Sequence, residues 1–285
     1  MQSFHSKTAF ITGAGSGMGL GMARTFAKAG MNVVLCDIRS DALDEALAQV
    51  NALGAQAIAV EADVSVRVQV EAAAQQAFDV FGKVHLVCAN AGISMHGVPV
   101  EKLSAREWDW VFGVNVHGVI HCFQTFLPHM REHGEESHIV NTASIGGFQI
   151  NPAWITGPYS TTKYAVVALS ETLEQECAGS NIGVSVLAPA AVNTGIFHSA
   201  KARPDRYGGA TSRPESEQYA HLLDGGLPPD MVGERVLDAI RAGEFFIFTH
   251  AWPREALDAR HARINAAFDD CEAWYRAKGM EPPGK

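Results

Sequence analysis

The chain opens with a strand-like run, a glycine turn and a helix-like run, and that order limits what it can fold into. Thr8–Thr12 is short, apolar and bounded by glycine, the signature of a strand buried on both faces. Gly13-Ala14-Gly15-Ser16-Gly17-Met18-Gly19 follows. Leu20–Ala29 then has helical character, with Gly30 as its stop. Glycines in that position have a mechanical use. They permit positive φ, let a diphosphate approach the backbone, and let the helix sit close to the strand. The helix N-terminus can bind such phosphates without basic side chains.

The alternation continues down the chain. Val33–Cys36, Ala57–Val60, Val84–Cys88, His138–Thr142, Ile182–Ala188 and Phe245–Thr249 read as further strands. Ala42–Leu53, Val66–Phe81, Leu103–His133, Pro158–Ala178 and Met231–Ala242 read as helices, with Pro128 expected to kink or end the third. Asn115 stands inside that helix, where a polar residue needs a reason. Such alternation predicts an α/β fold: a Rossmann-type doubly wound parallel sheet of about seven strands, flanked by helices, as a single domain over 1–285. Gly195–Pro229 loses clean periodicity, so an irregular insertion over 195–229 is expected at the site edge, as a substrate lid. Residues 253–279 are expected to form a charged, amphipathic helical tail.

Ligands of such sheets bind beyond the carboxyl ends of the strands. Asp37 ends the second strand, 18 residues after Gly19, where a carboxylate can hydrogen-bond ribose hydroxyls and repel a 2′-phosphate. Ser16 places no cation inside the glycine turn. Both residues favour NAD. Arg39 keeps NADP open, because a guanidinium pairs with that phosphate. Asp63 is placed for an adenine edge, with Val64 against the ring. Asn90 and Gly92 fall at the end of the fourth strand.

A second feature supplies chemistry. Tyr159 and Lys163 are four apart, and Ser144 lies fifteen residues before Tyr159. On a helix the two share a face one turn apart. A cation beside a phenol favours phenolate and lowers a pKa of about 10. A tyrosine so tuned exchanges a proton with an alcohol or ketone.

Composition excludes other classes. The net charge is −9 with no Lys/Arg run, which disfavours nucleic-acid binding. No apolar run reaches membrane-spanning length. The five cysteines are Cys36, Cys88, Cys122, Cys177 and Cys271, with no C-x-x-C spacing. They suggest neither a disulfide framework nor a zinc site, and a reduced, cytoplasmic setting is the expectation. His117/His121 and His129/His133 have i,i+4 spacing but no evident third ligand, so no metal is expected.

Taken in order, Thr12-Gly13-x3-Gly17-x-Gly19, Asp63-Val64, Asn90-Ala91-Gly92, Asn115, Ser144, Tyr159-x3-Lys163 and Pro189–Thr194 resemble the short-chain dehydrogenases/reductases, over about Lys7–Thr249. The resemblance implies that Tyr159 is the general acid/base. Lys163 would lower its pKa and hold the nicotinamide ribose, and Ser144 would hydrogen-bond the reacting oxygen. Asn115 would fix a water that links Lys163 to solvent. It also implies a cofactor site of Gly13, Ser16, Gly17, Met18, Gly19, Asp37, Arg39, Asp63, Val64, Asn90, Gly92, Tyr159, Lys163, Pro189, Val192 and Thr194. Family members pair through the helices holding Asn115 and Tyr159, which implies a homodimer or homotetramer.

Three departures stand out. The gap from Ser144 to Tyr159 is two residues wider than usual and contains Asn151-Pro152-Ala153-Trp154. Ala190 replaces the usual glycine after Pro189. The chain also runs beyond the usual end. A narrower resemblance, carried by Gly146-Gly147-Phe148, Gly157-Pro158-Tyr159, Arg203-Pro204-x2-Tyr207-Gly208 and Gly226-Leu227-Pro228-Pro229, is to the lignin β-aryl-ether Cα-dehydrogenases and related alcohol dehydrogenases that accept bulky ketones. It implies a secondary alcohol with two large groups as substrate, an aryl carbinol for example, in a pocket lined by Phe148, Trp154 and Phe197; core or interface packing is the alternative role for these three rings. The near rival is an NADP-dependent reductase of the same fold. The distant rival is a non-catalytic nucleotide-binding redox sensor.

Overall fold

Seven strands hydrogen-bond in the order β3-β2-β1-β4-β5-β6-β7, all parallel. The computed structural model of the protein describes residues 1–151 and 154–284. The first elements are β1 (Thr8–Thr12), α1 (Gly17–Lys28), β2 (Asn32–Asp37), α2 (Ser40–Asn51), β3 (Ala57–Glu61), α3 (Arg67–Phe81) and β4 (Leu86–Ala89). Then come α4 (Ala105–Phe112), α5 (Gly118–His133), β5 (Ser137–Thr142), α6 (Gly157–Cys177), β6 (Ile182–Ala188), α7 (Pro214–Glu217), α8 (Pro229–Ala242), β7 (Phe246–Phe248) and α9 (Arg254–Ala277). Met1–Thr249 form one compact unit and His250–Lys285 a second. The second is built on α9, where Trp274 and Tyr275 meet edge to face at 4.9 Å.

The strands read as continuous apolar runs because both sheet faces are covered. Side chains alternate between two cores. Phe10, Val34, Cys36 and Val87 join residues of α3, α5 and α6 on one face. Ala9, Ile11, Val33, Leu35 and Leu86 join residues of α1, α2 and α8 on the other. Each fully buried Leu, Ile, Val or Phe contributes about 1.5–3 kcal/mol relative to exposure. Helices α1 and α8 touch through Gly21, where an added Cβ would lie 2.4 Å from the Pro229 backbone.

The expected helix 103–133 is divided. Ser104 and Glu107 form a capping box that starts α4 at Ala105. Gly113–His117 then form a π-turn before α5 resumes. A π-turn is how a helix accommodates a residue with work to do inside it, and Asn115 sits there. Pro128 does not end the helix; α5 runs on to His133 and stops at Gly134 in the left-handed region. Pro128 and Gln124 are both exposed, so the carbonyl deprived of its partner lies on the water side. The strand order reverses between β1 and β4. That switch point opens the crevice in which ligands of this architecture bind.

Candidate active site

The glycine turn, the ends of β1 and β4 and the start of α6 converge on one cleft of about 440 Å3. Thr12 clamps its floor. Its hydroxyl accepts the Asn90 and Ala91 N–H groups at 2.9 and 3.0 Å, and its carbonyl accepts the Asn90 amide at 2.9 Å. Gly13, Ser16, Gly17 and Met18 line the cleft from the turn, and Asn90 and Gly92 from β4. Gly19 does not line it. A Cβ there would lie 2.1 Å from the Gly13 carbonyl oxygen, so its task is to let α1 approach the turn.

Asp37 is buried, 8 % exposed, and lines the cleft. Its Oδ2 accepts the Gly15 N–H at 3.0 Å, and its Oδ1 accepts the Arg39 N–H at 3.1 Å. Arg39 pairs with this carboxylate at 3.6 Å and donates to Ser16 Oγ at 2.8 Å. The acid therefore shapes the glycine turn as well as facing the cleft. Asp63, Val64, Pro189 and Thr194 line the cleft further along. Val192 does not; it is buried in the core and bridges to Leu227. Ala190 needs no glycine, because Ser6 is the one non-glycine residue at positive φ among the described residues. The Ala190 N–H bonds Thr249 Oγ1 at 3.2 Å.

Tyr159 and Lys163 emerge from the first turns of α6 into the same cleft. Ser144 leaves β5 in extended conformation. Its hydroxyl accepts the Gly146 N–H at 3.1 Å, approaches the Pro189 carbonyl at 3.5 Å, and hydrogen-bonds the Tyr159 side chain. The Lys163 ammonium is buried, 5.7 Å from the Tyr159 ring centroid, and donates to the Thr142 carbonyl at 2.8 Å. Asn115 is wholly buried. Its Oδ1 accepts the Ile93 N–H at 2.8 Å, and its Nδ2 donates to the Ile93 carbonyl at 3.1 Å and Thr162 Oγ1 at 3.0 Å. The side chain is thereby committed to joining the β4 exit, the π-turn and α6.

Electrostatics here differ from the expectation drawn from spacing. Burial pushes the Tyr159 phenol above its ordinary value, against the pull of the Ser144 hydrogen bond. Burial pushes the Lys163 ammonium down to about 7. Desolvation is the leading cause of the shift for both groups in the protein by itself. The lysine thus carries a folding cost of several kcal/mol. The unfolded lysine titrates near 10.5 and the folded one near 7. Between those values the unfolded chain binds the extra proton, so stability rises with pH across the window; below about pH 7 the whole cost is present. Lys163→Met is therefore expected to raise the melting temperature of the cofactor-free protein below pH 7 and to flatten its rise above. Loss of the donor to Thr142 opposes this by only about 1 kcal/mol. Melting curves from about pH 6 to pH 10 decide the matter: a variant no more stable than wild type at the acid end rejects the assignment.

Aromatic side chains gather on the other side of Tyr159. His96 is buried, with its ring centroid 4.7 Å from that of Tyr159, 5.2 Å from Phe197 and 6.2 Å from both Trp154 and Tyr219. Trp154 stacks on Tyr219 at 5.9 Å. Burial pulls the His96 imidazole down to about 4, so it is neutral near pH 7, and its Nδ1 bonds Ser94 Oγ at 2.6 Å. Of the three expected pocket residues, Trp154 and Phe197 join this cluster. Phe148 does not: its ring packs on Phe246 and Phe248 at 5.8 and 5.2 Å, beside β7. His96 and Tyr219 were not foreseen. The only sequence signal for His96 is its place four residues after Gly92. Pro152 and Ala153, in the wide gap before Tyr159, lie outside the described residues.

Three of the four paired histidines have partners elsewhere in the fold. His121 Nδ1 meets the Val64 carbonyl at 2.8 Å, His129 stacks on Phe78 at 3.9 Å, and His133 Nε2 meets the Val84 carbonyl at 3.2 Å. Among the described residues no group of His, Cys, Asp or Glu could hold a metal ion, and no helix is long and apolar enough to cross a membrane.

The cleft fits a nicotinamide dinucleotide. Its glycine turn leaves no room for a Cβ at Gly13, which would meet Ala91 Cα at 2.9 Å. The Lys163 ammonium has three donors and uses one on Thr142, leaving donors for ribose hydroxyls.

Comparison with known proteins agrees. The family described as short chain dehydrogenase matches residues 7–205. A C alpha-dehydrogenase of Sphingobium sp. (strain NBRC 103272 / SYK-6) is 35% identical over 268 residues, covering 93% of this chain and 87% of the relative. A 1-deoxy-11-beta-hydroxypentalenate dehydrogenase of Streptomyces exfoliatus is 32% identical, covering 98% and 92%. Among solved structures, a short chain dehydrogenase/reductase from Burkholderia phymatum in complex with NAD superposes with a TM-score of 0.87 at 38% identity, covering 94% of this chain and 97% of that one. With these matches running through the glycine turn, the Ser144 loop and the Tyr159 helix, the chain belongs to the short chain dehydrogenase family.

Proposed function

We propose that the chain is an NAD-preferring oxidoreductase that interconverts a bulky secondary alcohol, an aryl carbinol for example, and its ketone. The observation that carries this reading is the meeting of Tyr159, hydrogen-bonded to Ser144, with Lys163 on the cleft that holds the glycine turn. The dinucleotide, when bound, accepts or supplies the hydride. As phenolate, Tyr159 Oη takes the alcohol's proton; as phenol, it returns one to the ketone oxygen, and Ser144 Oγ orients that oxygen. Lys163 holds the nicotinamide ribose, and Asn115 keeps α6 and the β4 exit in register. Bulk in the substrate is supported by the ring cluster of His96, Trp154, Phe197 and Tyr219 beside Tyr159.

NAD is supported by the buried Asp37 carboxylate on the cleft; NADP is the second reading, favoured by Arg39 beside Ser16. A homodimer or homotetramer pairing through the helical segment that holds Asn115 and through α6 belongs to the reading by resemblance. A reduced, cytoplasmic setting is the reading favoured by five widely spaced cysteines, four of them buried and none paired within the chain. A panel of alcohols run with both cofactors, followed by nicotinamide absorbance, tests the whole. Aryl and diaryl carbinols with NAD are expected to give the highest kcat/KM, and small aliphatic alcohols outperforming them refute the substrate class.

A further inference from the structure

The lid is fastened to the acid at the adenine end of the cleft. Asp63 follows β3 and is nearly buried. Its Oδ1 accepts the Ser65 N–H at 2.9 Å and the Ser65 hydroxyl at 2.7 Å. Its Oδ2 accepts the guanidinium of Arg206, a lid residue 143 positions later. The same Arg206 Nη2 donates to Ser65 Oγ at 2.6 Å, and the Tyr207 hydroxyl lies 3.4 Å from that oxygen. The guanidinium also covers the Tyr207 ring at 4.7 Å. The chain leading to Arg206 forms wall of the cleft: Lys201, Ala202 and Pro204 line it together with Asp63 and Val64. Arg203 rests over Trp110, another lining residue, at 5.2 Å.

The geometry points to Arg206 as a cofactor-retaining latch, which holds the lid shut over the adenosine half of the dinucleotide through Asp63 and Ser65. This rests on the dinucleotide reading above. The Asp63 side chain is 7 % exposed and that of Arg206 43 %. Opening the lid strips the guanidinium from a buried carboxylate, while Arg206 itself returns to water. That asymmetry favours the closed lid. The rest of the lid has its own ties: Ser199 Oγ accepts the Ser94 N–H at 3.0 Å, Ser216 exchanges hydrogen bonds with the His96 backbone at 3.1 and 2.9 Å, and Arg213 pairs with Glu107 at 2.5 Å. Arg206 therefore governs one end, where the adenosine lies, while the aromatic cluster stays fastened. Asp63 gains a duty as the anchor of the lid beside the one expected of it at the adenine edge.

The test follows NADH release without any alcohol or ketone present. NADH fluorescence is recorded by stopped flow while excess ADP-ribose displaces it. Arg206→Ala is expected to speed release about tenfold, the value of a charge-assisted hydrogen bond. Arg206→Lys, which keeps the charge but loses the planar fork, falls between. Amide hydrogen exchange of the cofactor-free Arg206→Ala protein is expected to quicken over 203–209 and to stay unchanged over 214–223. Release at the wild-type rate in Arg206→Ala overturns the latch. So does faster exchange spread through both segments, which marks a general structural role. Wild-type protein that fails to bind NADH at all overturns the dinucleotide reading instead, and the two failures are told apart.

Discussion

Tyr159→Phe is expected to cut turnover about a thousandfold or more and to leave NADH binding within about twofold of wild type. The substitution removes one oxygen and little else. The Phe ring keeps the contact with His96 at 4.7 Å and stays 5.7 Å from the Lys163 ammonium. Ser144 loses one partner and keeps the Gly146 N–H, so no buried polar group is stranded. The glycine turn and Asp37 are untouched. What disappears is the atom proposed to exchange a proton with the substrate oxygen. His96 does not take its place, because burial makes its imidazole a weak base and its Nδ1 is held by Ser94, and Lys163 is turned to Thr142. Steady-state rates and NADH fluorescence titration together check the prediction. Turnover near the wild-type rate in the variant removes Tyr159 from the chemistry.

Asp37→Asn is expected to lower kcat/KM with NAD by about 10- to 100-fold and to raise it with NADP, reversing the preference. Asparagine can still accept the Gly15 N–H through its carbonyl oxygen, so the turn that Asp37 organises is kept. The charge is what goes. A hydrogen bond to a charged group is worth about 1.5–3 kcal/mol, which sets the loss with NAD. The gain with NADP has two sources. The repulsion of a 2′-phosphate ends, and Arg39, paired with Asp37 at 3.6 Å, is freed to meet it. Kinetics with both cofactors on wild type and variant decide it. An unchanged ratio of the two kcat/KM values means that Asp37 serves the glycine turn alone.

Much of this was legible before any coordinates. The ends of β1 and β6 fall where the apolar runs end, because a strand buried on both faces has no polar register to blur its limits. The glycine spacing and Tyr159-x3-Lys163 were equally readable, since their geometry is local: a turn and a single helical turn fix it. The reading failed where the cause lay far off in the chain. Asn115 looked anomalous in a helix because the π-turn that holds it answers to Ile93 and Thr162. Phe148 was assigned to the pocket through the resemblance that Gly146-Gly147-Phe148 carries, but the ring turns to β7, nearly a hundred residues on. The lid was read as a substrate cover, while its first half also borders the cofactor cleft and ends on Asp63.

By itself, then, the sequence determined the order of strands and helices, the glycine turn, and the identities of the groups that meet at the carboxyl edge. Hydrophobic period and turn chemistry are short-range properties, and the chain states them directly. The tertiary structure alone decided what those groups experience. Whether Lys163 lowers the Tyr159 pKa or both are driven toward neutrality depends on how much water the fold leaves around them. Whether Arg206 is a solvated lid residue or a latch depends on a contact made across 143 residues. Desolvation and long-range pairing are properties of the packed molecule, and only the packed molecule reveals them.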